Sequence, residues 1–170
     1  MLATFATDTI DAEVLQAQAN LLSAQAQAQD AQSNAERARS IEGTGALSQQ
    51  QINQLNTAAK ATAAQVQAHR LMAARELAKK FQCTVILKGS GTVIAHPDDI
   101  PHINPTGNGS LATAGTGDVL AGLIGAGLAA GMTPLQAALR AVFAHGEAAD
   151  AWPLNEPLTA GALARRIKIG

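Results

Sequence analysis

Apolar residues at alternating steps of three and four run through the first part of the chain, and this period decides what that segment can become. One series reads Val14, Ala17, Leu21, Ala24, Ala28, Ala31, Ala35 and Ala38; a second reads Ile52, Leu55, Ala59, Thr62, Val66, His69 and Ala73. Such stepping lays a single stripe along a helix, whereas a strand requires alternation by two. Glu42-Gly43-Thr44-Gly45 separates the series, and glycines of this kind end helices. The pattern predicts an antiparallel coiled-coil hairpin turning near Glu42 to Gly45. Its seam is mostly Ala, so the helices can approach closely while each contact buries little area, at about 25 cal/mol per Å². The Gln-rich surface also admits a disordered, low-complexity reading, against which the regular spacing over two arms argues. His69 stands on the stripe with no second ligand nearby and is read as a packing or junction residue.

Composition then changes. All six Pro follow residue 96, and of the 15 Gly only Gly43 and Gly45 lie in the first 80 positions. Two architectures are expected, a helical hairpin over residues 1–70 and an α/β unit over residues 71–170. A net charge of -1 and a pI near 6.4 leave no basic footprint for nucleic acid or an anionic membrane. The longest apolar stretch, residues 119–130, is interrupted by three glycines and falls short of the ~20 residues a bilayer demands. The first residues carry no basic and apolar export signal, so a cytoplasmic location is expected. The single cysteine, Cys83, precedes the apolar run Thr84-Val85-Ile86-Leu87 and is expected to be a buried, inert thiol.

In the second segment, residues 71–81 repeat apolar positions at helical spacing and lead into a strand over Cys83 to Leu87, whose β-branched composition suits a buried position. Lys88-Gly89-Ser90-Gly91 turns the chain, Thr92 to Ala95 resumes a strand, and Pro97-Asp98-Asp99 supplies a turn before Ile103. The most informative run is Asn104 to Asp118, which ends in Gly115-Thr116-Gly117-Asp118 and passes directly into the helical stretch from Val119. Glycines at a helix start expose backbone N–H groups at the positive end of the helix dipole and let an anion approach. Gly115, Thr116 and Gly117 are therefore the candidate anion site. Asp118 suits a helix start equally as a dipole-stabilising carboxylate and as a general base beside the anion. Lys88 is read either as a solvated strand-end cation or as a ligand. His96 and His102 flank a turn without further ligand types at metal spacing, so no metal is assigned; His145 is read as a helix-packing residue.

Val85-Ile86-Leu87-Lys88-Gly89-Ser90-Gly91-Thr92 and the run from Asn104 to Gly122 occur in the order and spacing of the NAD(P)H-hydrate dehydratase family, and His145-Gly146-Glu147-Ala148-Ala149-Asp150 is similar to that family's next helix. Residues 71–170 thus resemble the C-terminal part of an ADP- or ATP-dependent enzyme of the ribokinase-like class. The resemblance implies a partial ribokinase-like α/β unit. It also implies that Lys88, Gly89, Ser90, Gly91, Thr92 and Gly117 contact the nucleotide, that Gly115 to Gly117 hold the transferred phosphate, and that Asp118 acts at the substrate hydroxyl. The implied reaction phosphorylates the hydroxyl of hydrated NAD(P)H and eliminates the phosphate to restore the dihydropyridine, with ADP or ATP and an accompanying Mg²⁺ as cofactors. The family's first half has no counterpart, which implies impaired activity, and Gly161-Ala162 stand where the family usually has Ser-Asp. A homo-oligomer is compatible with this reading.

The hairpin resembles that of periplasmic adaptor proteins, which carry Arg, an aliphatic residue four on and Ser seven further; Arg37, Ile41 and Ser48 have that spacing. That resemblance implies docking onto an outer-membrane channel if the chain is exported. An inactive chimera of the two segments is the third expectation.

Overall fold

A computed structural model describes residues 12–167, with side chains from residue 16 onward. Helix α1 spans Ala12–Ser40 and helix α2 spans Gln49–Phe81. The helix break falls where the glycines stand, and Gly43 adopts a left-handed φ of 89°. Every described member of the two predicted stripes is buried or half-buried. Val14, the first position of the first stripe, lies outside the residues whose side chains are described. Across the turn, Arg39 Nε donates to Asn56 Oδ1 at 3.2 Å. Ser48 caps α2 reciprocally with Gln51: the Gln51 N–H donates to Ser48 Oγ at 3.3 Å and the Ser48 N–H to Gln51 Oε1 at 2.9 Å, the reciprocal arrangement of a capping box.

The chain divides into two compact units, Met1–Ala73 and Ala74–Gly170, the boundary falling within α2. In the second unit α2 ends at Phe81. Gln82 takes a left-handed φ of 49°, its side chain donates to the Lys79 carbonyl at 2.6 Å, and the Cys83 N–H closes onto Ala78 O at 3.3 Å. This C-terminal cap corrects the expectation for Cys83. The residue belongs to the cap and not to the strand, and its thiol is exposed.

Strands β1 (Val85–Leu87), β2 (Val93–Ala95) and β3 (His102–Ile103) form an antiparallel meander in that order, with Leu87 opposite Val93 and Ile94 opposite His102. The unit is therefore mostly helical with a small antiparallel sheet. The fully buried strand is the central one, β2, whereas β1 is half-buried throughout, because an edge strand has a neighbour on one side only. Helices α3 (Thr116–Ala129), α4 (Pro134–Asp150) and α5 (Ala160–Arg166) follow. Thr133 and Gln136 form a capping box at the start of α4, with Pro134 in its first turn; Thr159 Oγ1 caps α5. Ile94, Leu120, Ala138, Ala141 and Val142 form one core cluster between β2, α3 and α4, and Ala149, Leu158 and Leu163 form another where α4 and α5 meet.

Candidate functional site

The connection from β3 to α3 is too polar to bury unaided, and three anchors hold it. Asn104 is buried; its N–H donates to Thr92 O at 2.8 Å and its side-chain amide to Thr106 O at 2.8 Å. Thr106 Oγ1 donates to the Phe143 carbonyl of α4 at 3.0 Å. Asp150, at the end of α4, accepts from the Gly107 N–H at 2.7 Å and from the Asn108 amide at 3.1 Å, while that amide also donates to Ala149 O at 2.9 Å. The connection lies so close to α4 that a Cβ on Gly146 would stand 2.6 Å from the Thr106 carbonyl carbon. Only glycine fits there.

The start of α3 is built by similar means. Gly115 holds a left-handed φ of 83° at the N-cap, and no side chain caps the helix. Thr116 is buried, with its hydroxyl between Leu111 O at 2.7 Å and Thr113 O at 2.8 Å. The Asp118 and Val119 N–H groups both donate to Gly115 O, and the Thr116 N–H to Thr113 O. Among the described residues, the Gly117 N–H has no acceptor. A Cβ on Gly117 would lie 2.8 Å from Lys88 Nζ, so the absence of a side chain lets the lysine head reach the helix start. An open donor beside an ammonium group suits an anion.

These elements enclose a cleft of about 460 Å³ lined by Lys88 to Thr92 from the β1–β2 turn, by Asn104, Thr106 to Gly109, Leu111 and Ala112 from the connection, by Thr116, Gly117 and Leu120 from α3, and by Val142, His145 and Gly146 from α4. Five of the residues singled out from sequence, Lys88 to Thr92, share one wall, and Thr116 and Gly117 face them. Gly115 and Asp118 are not in the lining. Asp118 is exposed in the first turn of α3. Arg37, Ile41 and Ser48 are all exposed around the hairpin turn.

The model of the NAD(P)H-hydrate dehydratase family matches residues 10–168. The chain belongs to this family. The matched range starts well before the motif-bearing region at residue 71. Among relatives, the ADP-dependent (S)-NAD(P)H-hydrate dehydratase of Neisseria meningitidis serogroup B is 46% identical over 106 residues, 62% of this chain and 36% of that protein. The bifunctional NAD(P)H-hydrate repair enzyme of Moorella thermoacetica is 51% identical over 90 residues, 52% of this chain and 17% of that one. A Bacillus subtilis ADP/ATP-dependent NAD(P)H-hydrate dehydratase, co-crystallized with ATP/Mg²⁺, superposes with a TM-score of 0.52 at 40% identity, covering 59% of this chain and 38% of that one. The chain thus spans about a third of the length of the dehydratases it matches from Neisseria and Bacillus.

Sequence reasoning missed the part played by α4. His145 was expected to pack, and it is buried, yet its Nε2 also lies 2.9 Å from the Thr116 carbonyl. A carbonyl can only accept, so Nε2 carries the hydrogen. Burial pushes the imidazole below the ordinary histidine range; the Thr116 bond works the other way, and the Lys88 charge adds to the lowering.

Proposed function

We propose that residues 71–170 supply the nucleotide-phosphate side of an ADP- or ATP-dependent NAD(P)H-hydrate dehydratase site. The observation that carries this reading is the open Gly117 N–H beside Lys88 Nζ in a cleft bounded by the Lys88 to Thr92 turn. The turn and Gly117 contact the nucleotide, and the Gly115 to Gly117 turn receives the transferred phosphate, where fixed backbone dipoles stabilise charge without reorganising. Bound ADP or ATP, with Mg²⁺, supplies the phosphoryl group that makes the hydrate's hydroxyl a leaving group. Asp118 takes the proton from that hydroxyl. In this reading the hydrate is met on the outer side of the helix start, where the Asp118 side chain is exposed. In-line transfer requires the acceptor to be held as firmly as the donor, so this stretch of chain by itself turns over slowly. The reaction is one of cytoplasmic cofactor repair.

Calorimetric titration with ADP and with ATP tests the site. The parent should bind, Gly117→Val should weaken binding at least about tenfold, the equivalent of 1.4 kcal/mol, and Asp118→Asn should bind like the parent. A parent that binds neither nucleotide at millimolar concentration ends this reading. NADPH-hydrate turnover comparable to that of a full-length relative would end the claim of slow turnover.

A second reading concerns residues 1–70 as a separate coiled-coil hairpin with an adaptor-like tip. It is favoured by the covered alanine stripe and by the exposure of Arg37 and Ile41 beside the turn. Ser48 already serves as the cap of α2, so docking to a channel would rest on the other two. Binding of an exported form to an outer-membrane channel, lost in Arg37→Asp, supports it; a chain that binds neither nucleotide nor channel is an inactive chimera.

A further inference from the structure

We propose that His145 is a positioning residue of the phosphate site, holding the Thr116–Gly117 peptide so that the Gly117 N–H is presented to a nucleotide phosphate beside Lys88. The inference rests on the nucleotide reading above for the identity of the anion, but its geometry stands on its own. The Thr116 carbonyl and the Gly117 N–H belong to one planar trans peptide, so they point in opposite directions and fixing one fixes the other. His145 Nε2–H grips the carbonyl at 2.9 Å from a buried position on α4. On the far side of the same plane, the Gly117 N–H is left without an acceptor at the cleft wall. A hydrogen bond to the carbonyl also polarises the peptide and strengthens its N–H as a donor.

The Thr116 hydroxyl is engaged with Leu111 O and Thr113 O, which sets the side chain; the next peptide is the first of α3, whose carbonyl takes the helical bond from one turn on, and His145 adds a second donor to the same oxygen. Gly117 has no side chain to restrain it, and Gly115 sits in the left-handed region. A glycine on each side of Thr116 gives the phosphate room at the expense of stiffness, and α4 returns the stiffness through His145. Its neighbour Gly146 packs against Thr106, and Asp150 one turn on ties down Gly107 and Asn108. One helix face therefore sets both the floor and the rim of the cleft.

Two substitutions separate positioning from packing. His145→Leu keeps the bulk and removes the donor; His145→Gln keeps an amide donor and removes the ring. The full chain is titrated with ADP by calorimetry, and the Gly117 amide is followed by ¹⁵N–¹H NMR without ligand. The expected result is an affinity about tenfold lower in His145→Leu, matching the loss of about one hydrogen bond, with recovery to within about threefold in His145→Gln and parallel displacement and return of the Gly117 resonance. Since neither variant has an imidazole, return in the Gln variant excludes a ring-current effect. Equal ADP affinity in parent and Leu variants, or an unmoved Gly117 amide, overturns the proposal. A parent that binds no ADP while the amide still moves and returns rejects the nucleotide reading and upholds the positioning. If His145→Leu does not fold, ¹⁵N-histidine spectra of the parent decide: a neutral ring protonated at Nδ1 and not at Nε2 overturns it.

Discussion

The first helix, α1, and the cleft-bearing unit bury their side chains in opposite ways. In α1 the fully covered positions are Ala24, Ala35 and Ala38, whereas the largest fully buried side chains are Ile94, Leu163 and Val93 in the second unit. An alanine seam spreads its stabilisation thinly over many equivalent contacts, so no single position dominates. A core of branched side chains concentrates it, and the same helices can then bear a polar connection. Periodicity alone builds a surface, while a cleft needs a few irreplaceable residues.

Removing one large core side chain and one residue of the alanine stripe should separate the two units most. Leu163→Ala should lower the stability of the second unit by about 3 kcal/mol, measured by urea unfolding, whereas Ala35→Gly in α1 should lose about 1 kcal/mol; equal losses would abolish the distinction. Next in size is Gly146→Ala. The new methyl meets the Thr106 backbone at 2.6 and 2.7 Å, so about 2 kcal/mol of destabilisation is expected, together with weaker ADP binding as the connection is pushed off α4. In the hairpin, Ser48→Ala removes the cap of α2 and should reduce helix stability by about 1 kcal/mol, read as faster amide exchange over residues 49–52. Unchanged exchange there would show that the turn, not the cap, sets the helix start.

The smallest effect is the pH dependence of the second unit. His145 titrates below its ordinary value in the folded state, chiefly through burial. From about pH 6.5, the unfolded value, downward, the unfolded chain takes up a proton that the folded chain refuses, so the imidazole's share of stability is present above that pH and is lost as pH falls through the folded value. A midpoint that declines with acid in the parent should decline less in His145→Gln. Identical slopes would dissociate His145 from the acid response.

How much was legible in the sequence follows the same divide. The two helices and their break could be read because a 3.5-residue period and paired glycines are local signals, and the burial of Ala24, Ala35, Ala38 and Ile52 follows that stripe. The glycine-rich start of α3 was legible because Gly115 and Gly117 stand directly before a helical run, whereas the approach of Lys88 to Gly117 was not, since nothing local in the sequence relates the two. Cys83 was misplaced because an apolar run does not reveal whether its first residue belongs to the strand or to the preceding cap, which Gln82 decides through an unusual φ. The roles of Asp150 and His145 were not legible, since each partner lies 29 to 43 residues away in sequence and only the packing of α4 brings them together.

The order β1-β2-β3 also bears on how quickly the second unit forms. Each strand pairs with its neighbour in the chain, and α3 packs on α4 directly after it, so the loops to be closed are short and their entropy is small. Sheet and helices should assemble early. The contact of Gly107 with Asp150 closes a loop of 43 residues, so the cleft rim should be the last element to settle during refolding and the first to loosen on heating.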